Sequence, residues 1–343
     1  MKGDFRKRLK IEESENISGI FRNLHRIPIL KEKNYCIIPF NLDGDAPKRF
    51  IKAYFYESGG KVYKSKLKTW NSFIAKSAQK WYPNESVIEY LLNRVGTEIG
   101  LNMNHVNLCN INGQIRFLSK YFLYVEEQKL VHGAEICGEY LQDESFAEQI
   151  ANDRQSARQL FTIQFIFEAI NSVFENCCEV IIKELVKMIV FDAIVGNNDR
   201  HFYNWGVIKS VRNDDTNPLF SPIYDTARGL LWNWNDDRVK KQLINLTSGG
   251  KKVENYIENA CPRISIEGNP DVNHFDLVRF IWSNNAEHQG TIRDLITFEN
   301  EKIVLDLYNN EFKQYFIDER NELVCYIVKE RFKRLRKIAN IHD

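Results

Sequence analysis

The chain has 343 residues with 47 Lys plus Arg against 46 Asp plus Glu, a formal charge of +1. Hydrophobic residues make up 43% and charged residues 27%, which excludes a wholly disordered chain and leaves material for a sizeable core. The near-neutral balance gives no reason to expect a dedicated nucleic-acid or membrane binder, and 8 Pro with 17 Gly exclude collagen-like and low-complexity readings.

The start, MKGDFRKRLKIEESEN at 1–16, is charged, has no apolar core of a signal peptide and is expected to be flexible. YCIIPF, FIKAYFY and SFIAK within 35–76 are short apolar or aromatic runs between Asp, Gly, Lys and Asn, so this stretch reads as β-rich. Residues 84–99 switch to helical period through Ile88, Leu91, Leu92, Val95 and Ile99. Asn112-Gly113 between two strand-like runs predicts a hairpin. From about 144 the pattern is helical, with stripes over 156–175 and 179–195 and a C-cap glycine at Gly196. The most apolar run, MIVFDAIVG at 188–196, is broken by Asp192 and is too short to span a membrane. A last helix over about 322–339 lines up Cys325, Val328, Phe332 and Leu335 on one face. It carries Lys329, Arg331, Lys333, Arg334, Arg336 and Lys337 on the other, read as a solvated face, with contact to nucleic acid or an acidic partner as the second reading. Seven cysteines without a C-x-x-C pair, among them the adjacent Cys177 and Cys178, fit inert packing in a reducing cytoplasm. The expectation is an α+β chain of two packed lobes: a small β-rich N-lobe over 17–128 and a larger, mostly helical C-lobe over 129–343.

The chemistry concentrates in FDAIVGNNDRHFYNWGVI at 191–208 and in LFSPIYDTARGL, which ends a short apolar run on Asp225. Phosphoryl transfer requires positioning and neutralisation: a carboxylate beside the acceptor hydroxyl, oxygen ligands for Mg²⁺, and a lysine for the phosphates held by an acid. Asp199 and Asn204 stand five apart, the spacing of base and metal-binding asparagine in a protein-kinase catalytic loop, and Asp225 follows 21 residues after Asn204. Lys76 ends a predicted strand and Glu89 lies 13 residues on in the next helix, as in the kinase ion pair. Each element has a plainer reading alone. Asn197-Asn198-Asp199 suits a turn, Ser86-x-x-Glu89 a capping box, Asp225-Thr226 a helix cap, and His201 an ordering role in its loop. Their occurrence together in kinase order favours phosphotransfer.

GNNDRHFYNWGVI followed by SPIYDTARG resembles the HipA-like kinase family, whose pattern is an Asp-x-His-x-x-Asn loop and a later Tyr-Asp. FIAKSAQKWYPNESVIEYLLNRVG is similar to that family's lysine strand and following helix, and KYF…LVHGAEI to its segment running toward the hinge between lobes. The resemblance implies a bilobal fold related to protein and phosphoinositide kinases, with ATP, Mg²⁺ and a Ser/Thr protein substrate. Carried over residue by residue, Asp199 is the catalytic base with His201 beside it, Asn204 and Asp225 hold Mg²⁺, Lys76 takes the phosphates and Glu89 orients it. The backbone near Val131, His132, Gly133 and Glu135 meets adenine, and Arg200 is placed to contact substrate or phosphate. Two departures stand out: there is little room for the N-terminal subdomain of HipA-type toxins, and the only candidate glycines for a phosphate loop are Gly59-Gly60. Ser65, Thr69 and Ser72 are the sites at which autophosphorylation is conceivable. Other readings are a lipid or small-molecule kinase of the same fold, a non-catalytic nucleotide- or DNA-binding toxin-antitoxin component, and a metal hydrolase using Asp199, His201 and Asp225. The partners expected are a protein substrate and an antitoxin or inhibitory protein; nucleic acid is less favoured and no membrane is expected.

Overall fold

The computed structural model describes residues 23–39, 48–56, 60–78, 84–124, 126–212 and 217–341; the charged start at 1–16 and Gly59 lie outside them. The β-rich runs form β1 (Tyr35–Ile37), β2 (Lys48–Ala53) and β3 (Asn71–Ser77), and the Asn112-Gly113 hairpin joins β4 (Val106–Ile111) to β5 (Gln114–Lys120). All five pair antiparallel in the order β1-β2-β3-β5-β4. Asn112 and Gly113 both take positive φ, 54° and 85°, which is what a two-residue hairpin turn demands.

Strand alternation decides what Lys76 can reach. Phe73, Ala75 and Ser77 are buried, Phe73 and Ala75 in a small cluster with Leu30, Tyr35, Ile51 and Leu118. Lys76 points to the other face, beside its cross-strand partner Phe117. That face is covered by α1 (Glu85–Glu98), whose Val87, Ile88, Leu91, Leu92 and Val95 join a core with Leu108 and Ile115.

Register also locates the two loops of this sheet. Lys48 pairs with Lys76 and Ala53 with Asn71, so the link between β1 and β2 lies at the Lys76 end and residues 54–70 at the opposite end. Five residues at about 3.3 Å each put Asn71, where the 54–70 link enters β3, roughly 17 Å along the strand from Lys76. Gly60 therefore belongs to the link at the end of β3 away from Lys76; residues 40–47 of the β1–β2 link lie outside the described residues.

The chain passes through residues 121–127 to a second sheet of β6 (Gln128–His132), β7 (Gly206–Ser210) and β8 (Leu219–Phe220). A helix absent from the sequence reading, α2 (Gly133–Leu141), starts directly at the end of β6. Gly133 and Gly206 permit this junction: a Cβ on Gly133 would lie 2.4 Å from the Trp205 ring, and one on Gly206 2.3 Å from the Val131 carbonyl. α3 (Glu144–Asn152) follows. The expected helix over 156–175 is two, α4 (Arg154–Leu160) and α5 (Ile163–Val173), because the Thr162 hydroxyl caps the second by accepting from the Phe165 N–H. α6 (Cys178–Val195) is apolar nearly all round and buried along most of its length, as the central helix of a lobe must be.

The remaining helices are α7 (Asp236–Thr247), α8 (Lys252–Glu258), α9 (His274–Asn284), α10 (Gln289–Leu295), α11 (Phe298–Leu307) and α12 (Asp318–Ile338). The basic face of α12 is only partly solvated. Arg331 is fully buried and donates to Ala193 O and Ile257 O; Arg336 is buried against Glu301 at 2.7 Å; Arg334 pairs with Glu254 and Glu258. Only Lys329, Lys333 and Lys337 of that face stay exposed. All seven cysteines are free, and no described helix is long and apolar enough to cross a membrane.

Candidate active site

Lys76 is the meeting point of the two lobes. Its Nζ donates to Glu89 Oε1 at 2.9 Å and to Asp225 Oδ1 at 3.0 Å. Glu89 sits on α1, and its carboxylate faces the sheet. Ser86 lies inside the helix, which begins at Glu85, so the capping-box reading of Ser86 and Glu89 does not apply. Burial pushes Glu89 up to about 7, with Lys76 opposing. Burial opposes the charge on Lys76 too, but Asp225 and Glu89 outweigh it and raise the lysine above its ordinary value. Burial would also raise Asp225; Lys76 outweighs it and holds the carboxyl down at about 2. Asp225 caps no helix: its φ is 54°, and the chain beyond it is irregular.

The loop after α6 is built around a buried ion pair. Asp192, the single charge in the apolar run, meets Arg200 through two parallel contacts, Nε to Oδ2 at 2.9 Å and NH2 to Oδ1 at 3.1 Å. Both side chains are at most 4% exposed. Asn197 donates its amide to the same carboxylate at 2.9 Å, and Gly196, at φ 68°, turns the chain out of the helix. The third guanidinium nitrogen donates to Asn204 O at 2.9 Å and to Tyr224 O at 2.5 Å. The Tyr224 hydroxyl donates to Tyr203 O at 2.9 Å. These staples bring Asn204 and the residue before Asp225 together across 20 positions of sequence. Arg200 is therefore not a substrate contact: its donors are engaged and it is 2% exposed.

On this frame Asn204 donates its side-chain amide to Asp199 O at 2.9 Å, which leaves its Oδ1 as the acceptor end. Asn204 Oδ1 and the Asp225 carboxylate are hard oxygen donors of the kind Mg²⁺ takes alongside phosphate oxygens. The described residues hold no group of three or more His, Cys, Asp or Glu side chains able to bind a metal, so the zinc-hydrolase arrangement has no ligand set among them. His201 orders its loop. Its Nδ1 accepts the Tyr203 N–H at 3.3 Å, and burial lowers its pKa with Asp199 opposing, so the ring is neutral at pH 7. The Asp199 carboxylate is 15% exposed and carries a guanidinium on each oxygen: Arg263 on Oδ1 at 2.7 Å and Arg228 on Oδ2 at 3.0 Å.

Val131, His132, Gly133 and Glu135, the backbone expected at adenine, lie at the end of β6 and the start of α2. Val131 and His132 pair with Val207 and Gly206 inside the second sheet. The N–H groups of His132, Gly133 and Ala134 donate to Glu135 Oε2, Trp205 O and Phe202 O at 2.7, 3.1 and 3.1 Å. Those three N–H groups are engaged within the protein.

Sequence reasoning took Asp192 only as a break in the apolar run and gave Arg228, Arg263 and His274 no role. Asp192 did carry a signal, since a lone charge in an apolar helix needs a partner. Arg263 carried none: it reaches Asp199 across 64 positions.

No curated protein matches the chain in sequence. Among solved structures it is similar to the Helicobacter pylori proinflammatory kinase CtkA, with TM-score 0.62 and 17% identity over 78% of this chain and 89% of that one. The Shewanella oneidensis HipA, solved with HipB and its operator DNA, aligns with TM-score 0.46 and 10% identity over 89% of this chain and 69% of that one. The CtkA likeness gives the fold: α+β and kinase-like. The profile of the HipA-like C-terminal domain matches residues 41–279, which take in Lys76, Glu89, the 196–206 loop and Asp225. With that match over well more than half its length, the chain belongs to the HipA-like C-terminal domain family.

Proposed function

We propose that the chain is a protein kinase that moves the γ-phosphoryl group of ATP to a serine or threonine hydroxyl. The observation that carries this reading is Lys76 held between Glu89 at 2.9 Å and Asp225 at 3.0 Å, one partner from each lobe. Such a lysine is charged and oriented before any phosphate arrives. Asn204 and Asp225 would hold Mg²⁺, which when bound neutralises charge on the phosphates. Asp199 takes the acceptor's proton as the acceptor oxygen bonds to phosphorus and the bond to the β,γ-bridging oxygen breaks, releasing ADP. His201 and Arg200 position this loop without touching the reacting atoms. Phe122 and Leu123, between the lobes, are the backbone we assign to the adenine edge.

The test is mass spectrometry of the purified chain after Mg-ATP, with and without lysate. Phosphate should appear on the chain or on a lysate protein, and Asp199→Asn should abolish it while ATP binding persists. Transfer at near wild-type rate in that variant would remove Asp199 from its role. Transfer to phosphoinositide vesicles and to no protein would favour the lipid-kinase reading.

A further inference from the structure

In this structure both carboxylate oxygens of the proposed base are occupied by arginine, Arg263 on Oδ1 and Arg228 on Oδ2. Arg263 is 20% exposed and Arg228 34%, so the pair lies in a recess open to solvent. Among the described residues neither guanidinium has a second carboxylate partner. Arg228 lies over the Trp232 ring at 5.2 Å, and the buried Nε of Arg263 has no hydrogen-bond partner. Arg154, exposed at the start of α4, is within electrostatic reach of both Arg263 and Asp199. Two guanidinium groups thus contact one carboxylate, with a third cation near them. Their shape is already filled by a carboxylate, that of Asp199 itself.

We propose that Arg228 and Arg263 lock Asp199 until an acidic side chain of the acceptor takes them. The acceptor is then a serine or threonine in a peptide segment flanked by Asp or Glu. This rests on the kinase reading above and adds its substrate class. The exchange is one ion pair for another: the acceptor carboxylate enters the arginine pair, the Asp199 oxygens come free, and the hydroxyl proton then has a base to receive it. An acceptor lacking that carboxylate meets a base still engaged.

The experiment compares two synthetic serine peptides that differ only in Asp/Glu or Ala around the serine, on wild type, Arg263→Gln and Arg228→Gln, at low and high salt. Wild type should favour the acidic peptide in kcat/KM by about tenfold or more, the size of one charge-assisted hydrogen bond, and the preference should shrink with salt. In either variant the acidic peptide should lose rate and the neutral peptide should gain it. That crossing of signs is what a purely structural role of the arginines would not produce. Equal use of the two peptides by wild type, or parallel loss of both in the variants, would overturn the lock. So would phosphorylation of phosphoinositide vesicles in preference to either peptide. Absence of transfer to any acceptor, with no ATP binding, would instead remove the kinase reading on which the lock depends.

Discussion

Arg200→Met tests whether the 196–206 loop is held by its buried ion pair. The substitution keeps an apolar stem and removes a guanidinium that makes two contacts to Asp192, at 2.9 and 3.1 Å, and two to main-chain carbonyls, at 2.9 and 2.5 Å. What remains is a carboxylate 4% exposed to which, among the described residues, the Asn197 side chain donates at 2.9 Å. Breaking a buried pair by removing one partner costs ~3–5 kcal/mol, because the other charge stays buried and uncompensated. Each carbonyl left without a donor adds ~1 kcal/mol or more unless water reaches it, and the terms are not additive. A loss of about 4–6 kcal/mol is a large share of a stability of ~5–15 kcal/mol. It should appear in urea unfolding as a lower midpoint at unchanged slope. Arg200→Lys should recover little, since one ammonium cannot bridge a carboxylate and two carbonyls with a planar fork. The double variant with Asp192→Leu removes both charges and should be more stable than the sum of the single losses by about 2 kcal/mol or more. A loss below ~1 kcal/mol for Arg200→Met, or strict additivity in the cycle, would refute the claim that this pair organises the loop.

Three further outcomes follow from the same geometry. Gly206→Ala places a methyl 2.3 Å from the Val131 carbonyl and should cost ~1–3 kcal/mol in urea unfolding, whereas Gly290→Ala, with nothing within 4 Å, should be neutral or slightly stabilising; equal effects would contradict the close approach of β6 and β7. Glu89 protonates near 7 because burial outweighs Lys76, so phosphotransfer should fall as pH drops through 7 while the Asp225 contact to Lys76 persists; a rate flat from pH 8 to 6 would speak against Glu89 as the orienting acid. His274 is 1% exposed and its pKa is pushed well below 6.5 by burial, so below pH 6.5 the unfolded chain binds the extra proton and stability falls as pH drops, by at most ~1.4 kcal/mol per pH unit. His274→Phe should flatten that decline measured by urea midpoint against pH, and an unchanged slope would place the effect in the other histidines.

Legibility in the sequence followed the range of the interaction. β3, α1 and the 112–113 hairpin were readable because their signals are local: alternation, a 3.6-residue stripe and a turn dipeptide. Lys76, Glu89, Asn204 and Asp225 could be paired by order and spacing. The division of 156–175 into two helices depends on Thr162, whose capping role competes with an otherwise helical stripe. α2 was missed because its first residue, Gly133, reads as a loop signal, and only the Trp205 ring above it shows why a glycine starts a helix there. The basic face of α12 was read as solvated because charge alone does not reveal burial. Arg331 and Arg336 are satisfied by carbonyls and by Glu301 from elsewhere in the chain. The pairing of Asp199 with Arg228 and Arg263 left no pattern at all, since ion pairs across 29 and 64 positions depend on the completed fold.

The charges at the cleft divide into two kinds. Asp192 and Arg200 are deeply buried, mutually satisfied and backed by main-chain bonds, so they fix the loop whatever is bound. Lys76 with Asp225, and Asp199 with Arg228 and Arg263, involve side chains between 15% and 41% exposed. Water can reach those groups, so exchanging one partner for another costs far less than breaking the buried pair. On the kinase reading they are the contacts that would exchange: Lys76 would take phosphate and Asp225 the cation, and the two arginines would take the acceptor while Asp199 takes its hydroxyl. A rigid buried pair beneath two solvent-accessible, replaceable ones lets one loop hold its shape while its outer charges change partners.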